Sequence, residues 1–171
     1  MFVSIKCCRF ACFVCQKNYC HRLNQNYKHL NTVIRQIDEE TATPDYLAYL
    51  GTAYAYRAML YLDLARLYEF LPNEIFPDGM DSEGVDVTNL TVPIVDENTT
   101  EVDAANNPRV PREEMFNFIL NDLDKAEKYI VNLANTSGNI MPDLACVYGL
   151  KARLYMWVEQ YDMAQQYARK A

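Results

Sequence analysis

The sequence predicts an all-α protein, and three observations support that prediction. The 171 residues include only 5 Gly, too few for a protein built from many tight β-turns. Half of the residues are hydrophobic, which gives a chain of this length enough apolar surface for one core. Hydrophobic residues also recur at three- and four-residue steps, which is the spacing of one helix face. These observations together indicate one helical domain.

The hydrophobic spacing predicts five helices, and the residues at both ends of each periodic run set their limits. The predicted helices cover residues 24–39, 45–70, 111–130, 142–159 and 162–171. Pro72 ends the second helix, because proline cannot continue a helix. Pro111 suits the first position of the third helix, and Glu113 and Glu114 then lie in the first turn, where the helix dipole favours acids.

Residues 73–110 are predicted to form one long acidic loop. Nine acids and no Lys or Arg lie between Glu74 and Asp103. The run 90–95 (LTVPIV) is the one strand-like segment. Oxygen ligands for calcium could come from the acids near Gly84, which are Asp78, Asp81, Glu83 and Asp86. Their spacing is not that of an EF-hand, so a solvated insertion is the preferred interpretation and no metal site is predicted.

An internal repeat indicates which kind of helical protein this is. Residues 54–62 (YAYRAMLYL) recur as residues 148–156 (YGLKARLYM), with Tyr, a basic residue, Ala, Leu and Tyr at the same offsets. A small Ala lets a second helix approach closely, and the Tyr residues fill the groove beside it. This spacing is typical of tetratricopeptide (TPR) repeats, although Lys151 stands where a large apolar residue is usual. The prediction is a TPR-like scaffold whose second and fourth helices each pack antiparallel against the next helix, with Ala58 and Ala152 buried.

Residues 1–23 stand apart from this pattern and are predicted to be disordered or to add little to the fold, which leaves 24–171 as the helical domain. Five of the six Cys lie in the first twenty residues. A zinc knuckle is the alternative interpretation of Cys12, Cys15, Cys20 and His21. No second pair of ligands follows at finger-like spacing, so zinc is not predicted. Lys6 and Arg9 interrupt the apolar start, so it does not match a clean signal peptide.

The charge and the residue inventory exclude several functions. The net charge is −7, and residues 45–171 hold ten Lys and Arg against twenty Asp and Glu, which argues against a nucleic-acid partner. The two histidines, His21 and His29, lie near the start, and no HExxH, GxSxG or phosphate-loop motif is present. We therefore predict no enzyme, no catalytic residue and no cofactor.

Trp157, the single Trp, could stack against a sugar, because aromatic faces pack against the C–H surfaces of carbohydrates. The preferred interpretation is a core residue in the groove between the fourth and fifth helices.

Four blocks of sequence, in order, resemble the SusD/RagB family. Residues 54–68 (YAYRAMLYLDLARLY) resemble its helix RAxxYxxLxRLYG, and residues 90–95 resemble its segment GVPLV. Residues 108–123 (PRVPREEMFNFILNDL) resemble PRxSxEEVYxxIxxDLxxA, and residues 145–155 (ACVYGLKARLY) resemble the repeat that begins GLxARxYLY. The resemblance covers residues 27–171.

This resemblance implies a glycan- or nutrient-binding lipoprotein at the outer-membrane surface, held by a lipid anchor in the full-length protein. Such a protein captures oligosaccharides for a TonB-dependent transporter. Family members are longer than this chain, and the resemblance implies that their sugar contacts lie mainly before and after the part found here, so no ligand-binding residue is assigned. The alternative function is a soluble TPR-like module that binds a protein partner along its helical face.

Overall fold

The computed structural model describes residues 28–71, 74, 79–80, 84–131 and 141–171, and this part of the chain is helical. It contains six helices and no β-strand, which confirms the predicted all-α class. The helices are α1 (28–36), α2 (Pro44–Tyr68), α3 (Glu101–Ala105), α4 (Arg112–Ile130), α5 (Leu144–Trp157) and α6 (Tyr161–Lys170).

The long helix α2 lies at the centre of the fold. Pro44 begins it, where the fixed φ of proline suits a first turn. Ala55 and Leu64 lie on opposite sides of the helix at 3.6 residues per turn, yet both are buried. A helix that is buried on opposite sides needs neighbours on more than one side, and α4 and α5 both pack against it.

Helix α4 runs antiparallel to α2. Near the beginning of α2, Gly51 lies against Ile130 at the end of α4. Just beyond the end of α2, Glu69 forms an ion pair with Arg112 at the start of α4. The helices α2 and α4 correspond to the second and third predicted helices, so the predicted antiparallel pairing of the second helix with the next is observed.

Helices α5 and α6 form the second antiparallel pair. Lys170 at the end of α6 lies over the ring of Tyr148 near the start of α5, 5.5 Å from its centroid. The rings of Tyr148 and Tyr167 are 6.1 Å apart. Ala58 and Ala152, the small residues of the two repeats, are 1% and 7% exposed. The predicted TPR-like pairs and the burial of both alanines are confirmed.

Lys151 stands where the TPR pattern usually has a large apolar residue, and its ion pairs with α4 explain why a lysine fits there. Its side chain is 2% exposed, and its ammonium lies 2.6 Å from Asp124 and beside Glu127, both on α4. Burial lowers the pKa of Lys151, but the hydrogen bonds and charges of these carboxylates outweigh burial and raise it. The residue therefore stays charged and joins α5 to α4.

The predicted boundaries need correction at most helix ends. The first helix ends at residue 36 and not at 39, and its predicted residues 24–27 lie outside the described part. The second helix ends at Tyr68 and not at 70. The third begins at Arg112 with Pro111 as its N-cap, so the first position predicted for Pro111 is wrong by one residue. The fourth helix spans Leu144–Trp157 and not 142–159, and the fifth spans Tyr161–Lys170 and not 162–171.

The predicted loop 73–110 also differs from the structure in two ways. It contains the short helix α3, which Thr100 and Asp103 cap reciprocally, each side chain bonding the other residue's backbone N–H. The strand-like run 90–95 is not a strand, because Leu90 makes only an isolated bridge with Pro111. Along the rest of the run, the backbone N–H and C=O groups form hydrogen bonds mainly with side chains.

Two glycines in helices predict opposite responses to alanine. A Cβ at Gly51 would lie 2.8 Å from the backbone nitrogen of Ile130 and 3.1 Å from the Cβ of Tyr129, so α2 and α4 would have to separate. We expect Gly51→Ala to cost about 1–3 kcal/mol. A Cβ at Gly149 would meet nothing within 4 Å, so only the better helix propensity of Ala acts there. Gly149→Ala should therefore stabilise by about 0.5–1 kcal/mol.

Urea unfolding of both variants measures the two effects, with Gly149→Ala as the control for helix propensity. Equal changes of the same sign would contradict a close helix crossing at Gly51.

Candidate functional site

We call the segment of residues 90–111 the platform. Hydrogen bonds and ion pairs from side chains of several elements hold the platform against the helices. Thr91 donates its backbone N–H to the carbonyl of Val110 at 2.8 Å, which closes the platform at its base. The Thr91 hydroxyl donates to the same carbonyl at 2.9 Å, and Thr91 is fully buried. Both ends of the platform are thus joined directly.

Arg109 fixes the base of the platform to the end of α2. Its Nε donates to the carbonyl oxygen of Thr91 at 2.6 Å. Its Nη2 donates to the carbonyl oxygens of Leu90 at 2.6 Å and Tyr68 at 2.7 Å. One guanidinium therefore satisfies three backbone acceptors that come from two parts of the chain.

The middle of the platform is bound to α1 and α2 at Val95. The hydroxyl of Tyr61 accepts the Val95 N–H at 2.8 Å and lies 3.0 Å from the Val95 carbonyl oxygen. The amide of Asn31 on α1 donates to the same carbonyl at 2.9 Å. Tyr61 is 1% exposed, and burial raises the pKa of its phenol. The phenol stays protonated and can serve as both donor and acceptor.

Arg57 on α2 is the centre of a buried charge network. Its Nε and Nη2 donate to the two carboxylate oxygens of Asp122 on α4, at 2.7 and 2.8 Å. Its Nη1 donates to Asn31 at 2.9 Å and to the carboxylate of Glu97 on the platform at 2.5 Å. The side chains of Arg57 and Asp122 are 3% and 0% exposed. A single side chain thus joins α1, α4 and the platform to α2.

The electrostatics of this network keep Arg57 charged. Burial alone lowers the pKa of Arg57, because it penalises the cation. The hydrogen bonds and charges of Asp122 and Glu97 outweigh burial and hold the pKa above its ordinary value. The network therefore positions the platform, and its charged groups are already paired.

A shallow pocket of about 370 Å³ opens on the outer edge of the platform beside α3. Its walls combine apolar and polar side chains, namely Ile94, Thr99, Val102, Asp103, Asn106, Asn107 and Pro108. Thr99 is already paired with Asp96, to which its hydroxyl donates at 2.5 Å. The amide of Asn107 donates to the carbonyl of Ile94, which fixes that side chain in place. The pocket lining contains no Lys or Arg.

Trp157 is partly buried against the core, as the preferred interpretation predicts. Its indole N–H donates to Glu69 at 2.9 Å, and the guanidinium of Arg112 lies 5.7 Å from its ring centroid. These contacts are with the end of α2 and the start of α4, and they do not involve α6, the other side of the predicted groove. One face of the ring is covered by Arg112, which leaves less of it for a sugar.

The other sequence candidates are mostly outside the described residues. This holds for the zinc-knuckle residues Cys12, Cys15, Cys20 and His21 and for the calcium candidates Asp78, Asp81 and Glu83. Asp86 is described, and it accepts the backbone N–H of Thr88 at 2.9 Å as part of a turn. Where the structure describes the chain, no group of three or more His, Cys, Asp or Glu is placed to hold a metal ion. None of the described helices is both long and apolar enough to cross a membrane.

Sequence reasoning identified Arg57, Asp122 and Arg109 as motif residues and assigned them no role. The available signal was their chemistry, because an arginine inside the apolar stripe of a predicted helix needs a buried acidic partner. The pocket residues gave no comparable signal, because Asn, Asp and Thr are also ordinary loop residues.

Comparison with known proteins finds solved structures that are similar to this chain. No protein-family model matches the chain, and no curated protein sequence matches it. A SusD-like carbohydrate binding protein from Bacteroides vulgatus matches 85% of this chain with a TM-score of 0.63 and 26% identity. A SusD-like protein from Bacteroides fragilis matches 86% with a TM-score of 0.59 and 18% identity, which shows the fold alone. The chain covers 29% and 25% of the lengths of these two proteins.

The two antiparallel helix pairs and the platform define an all-α, TPR-like scaffold. The likeness to the Bacteroides vulgatus structure, at 26% identity over 85% of the chain, confirms the predicted SusD-like relationship, and the likeness to the second structure supports the fold.

Proposed function

We propose that this chain serves carbohydrate binding, as the helical scaffold and loop platform of a SusD-like binding protein. The observation that supports this most directly is the likeness to a SusD-like carbohydrate binding protein, at 26% identity over 85% of the chain. The platform adds a physical reason, because Arg57, Tyr61 and Arg109 fix it in one conformation and leave its outer edge open. A rigid loop on a helical scaffold is a typical place for a binding site.

We also infer that the protein acts at the outer-membrane surface, held by a lipid anchor, and delivers its ligand to a TonB-dependent transporter. The four sequence blocks that resemble the SusD/RagB family support this inference. Binding without catalysis fits the described site, where the buried charges of Arg57 and Asp122 are committed to each other.

Calorimetry tests the proposed function. The product of the complete open reading frame should show saturable binding to at least one neutral glycan, with starch and pullulan tested first. The 171-residue chain alone should give no measurable heat at millimolar ligand, because it spans under a third of the length of its structural relatives. A complete product that binds no carbohydrate in a broad panel would contradict the proposal.

Co-purification tests the partner. A TonB-dependent transporter encoded next to this gene should co-purify with the complete product, and its absence from a purified, carbohydrate-binding product would contradict the transporter partnership alone.

Protein binding along the helical face is a second candidate function, because two large apolar side chains are exposed on neighbouring helices there. Asp63 on α2 and Arg153 on α5 form an ion pair at 2.7 Å. Leu67 and Met156, each about one turn further along its helix, are 62% and 59% exposed. Leu67→Glu combined with Met156→Glu should abolish co-purification with the transporter and preserve carbohydrate binding. If both properties survive, this face is not the partner surface.

A further inference from the structure

We infer that the pocket beside α3 binds one residue of a neutral saccharide, through Asn106, Asn107 and Asp103. This inference rests on the proposed function and adds to it a place and a ligand class. The pocket lies on the described platform, whereas the resemblance places the family's sugar contacts mainly outside the part of the protein found here.

The hydrogen-bonding groups of the pocket are the first argument. The carboxamide of Asn106 is exposed and makes no hydrogen bond to any described residue. Asn107 donates through its amide to Ile94, which leaves its Oδ1 as an acceptor. Asp103 accepts from Thr100 through Oδ2, at 2.6 Å from the hydroxyl, and its Oδ1 has no partner in the described chain. Three neighbouring residues thus offer several acceptors and one donor pair, which suits adjacent sugar hydroxyls.

The apolar part of the pocket is the second argument. Val102 is 74% exposed on α3, and it shares the pocket with Ile94 and Pro108. A pyranose has C–H groups on its faces and hydroxyls around its edge, so it needs apolar surface beside polar groups. The pocket provides both, but it has no aromatic ring to stack on a sugar face. We therefore expect weak binding, with a dissociation constant on the order of 10 mM or weaker for the isolated chain.

Charge selects the class of saccharide. The pocket contains the Asp103 carboxylate and no cationic side chain. A uronic acid or sulfated sugar would bring a second negative charge to this carboxylate without compensation. A neutral sugar instead donates hydroxyl hydrogens to it. The pocket therefore favours neutral saccharides over acidic ones.

The pocket is also fixed before any ligand arrives. Asn107 is bonded to the platform backbone, and the reciprocal cap between Thr100 and Asp103 sets the start of α3. The platform itself is held at Val95 by Tyr61. Because these groups are already ordered, little further conformational entropy is lost on binding.

Amide chemical shifts of the 171-residue chain, followed by NMR, test the inference with defined probes. Maltotriose, cellotriose and mannotriose are the neutral probes, and trigalacturonic acid is the acidic one. We expect at least one neutral probe to shift amides within residues 94–108 in a saturable way, and the acidic probe to leave them unchanged. Shifts confined to other segments, or equal shifts with the acidic probe, would overturn the inference.

Variants show whether the named side chains bind the probe. Asn106→Ala should weaken the binding of the neutral trisaccharide at least about fivefold, because it removes a donor and an acceptor. Asn106→Asp keeps the shape but replaces donors with a carboxylate, so it should weaken binding as well. Gln165→Ala is the matched control, because Gln165 is an exposed carboxamide on α6. Unchanged affinity in both Asn106 variants would overturn the assignment.

The outcome can be separated from that of the proposed function. If the complete gene product binds a glycan in calorimetry while neutral trisaccharides leave residues 94–108 unaffected, the pocket is wrong and the proposed function stands. If the complete product binds no carbohydrate, the proposed function fails and this inference fails with it.

Discussion

Asp122→Ala is expected to lower the free energy of unfolding by about 3–5 kcal/mol, because it leaves the buried charge of Arg57 without its main partner. The two parallel hydrogen bonds at 2.7 and 2.8 Å disappear together, and the side chain of Arg57 is only 3% exposed. A water molecule that enters the space left by the carboxylate carries no negative charge, so it does not compensate the buried guanidinium. The remaining partners, Asn31 and Glu97, satisfy only Nη1.

Urea unfolding measures this loss, and Asp63→Ala is the matched control. Asp63 also pairs with an arginine at 2.7 Å, but both side chains of the Asp63–Arg153 pair are about 40% exposed. An exposed pair contributes roughly 0–1 kcal/mol, so the control should change little. Similar losses in the two variants would mean that Arg57 and Asp122 are not buried from water as the structure shows.

A double variant separates burial of charge from packing. Arg57→Met combined with Asp122→Leu removes both charges, and it should recover much of the loss, because no unpaired charge stays inside. It also releases Glu97, so the platform should exchange its amide hydrogens faster even where stability returns. A double variant no more stable than Asp122→Ala would assign the loss to packing.

The helix pairs could be predicted from the sequence because they depend on local periodicity. Ala58 and Ala152 occupy equivalent positions of a repeat, and both are buried in the structure. The predicted range of α2 differs from the structure only at its ends. The residue at which a helix begins or ends depends on the neighbouring segments as much as on the helix's own residues.

The platform could not be predicted because its contacts join residues far apart in sequence. Arg57 and Asp122 are 65 positions apart, and Arg109 reaches back 41 positions to Tyr68. Periodicity carries no information at such distances. The run 90–95 has the composition of a strand, but the side chain of Tyr61 takes the place of a neighbouring strand at Val95.

Helix α3 was predictable from its cap and was missed. Thr100 followed three residues later by Asp103 is close to a capping box, and the structure contains that box. The long acidic loop around it hid the signal, because five helical residues are too few to show a periodic face. The pocket beside α3 was missed because its Asn, Asp and Thr residues are also ordinary loop residues.

Arg109→Ala is expected to cost about 2–4 kcal/mol and to loosen the platform more than it loosens the helices. The substitution removes the charged donor from three carbonyl oxygens, those of Tyr68, Leu90 and Thr91, although Leu90 still accepts the N–H of Phe70 at 3.4 Å. Thr91 is fully buried, so its carbonyl can regain a partner only if the base of the platform opens to water.

Hydrogen exchange and urea unfolding together test this prediction. Arg109→Lys should recover only part of the stability, because one ammonium cannot reproduce a planar fork that bonds carbonyls from two segments. Arg35→Ala, at an exposed arginine of α1, is the control and should stay within about 0.5 kcal/mol of the native protein. In Arg109→Ala, the amides of Thr91 and Val95 should lose protection before those of α2, because the platform is released first. The weak saccharide shifts at residues 94–108 should broaden or vanish with it. Equal loss of protection in α2 and the platform would show that Arg109 supports the whole fold and does not hold the platform in particular.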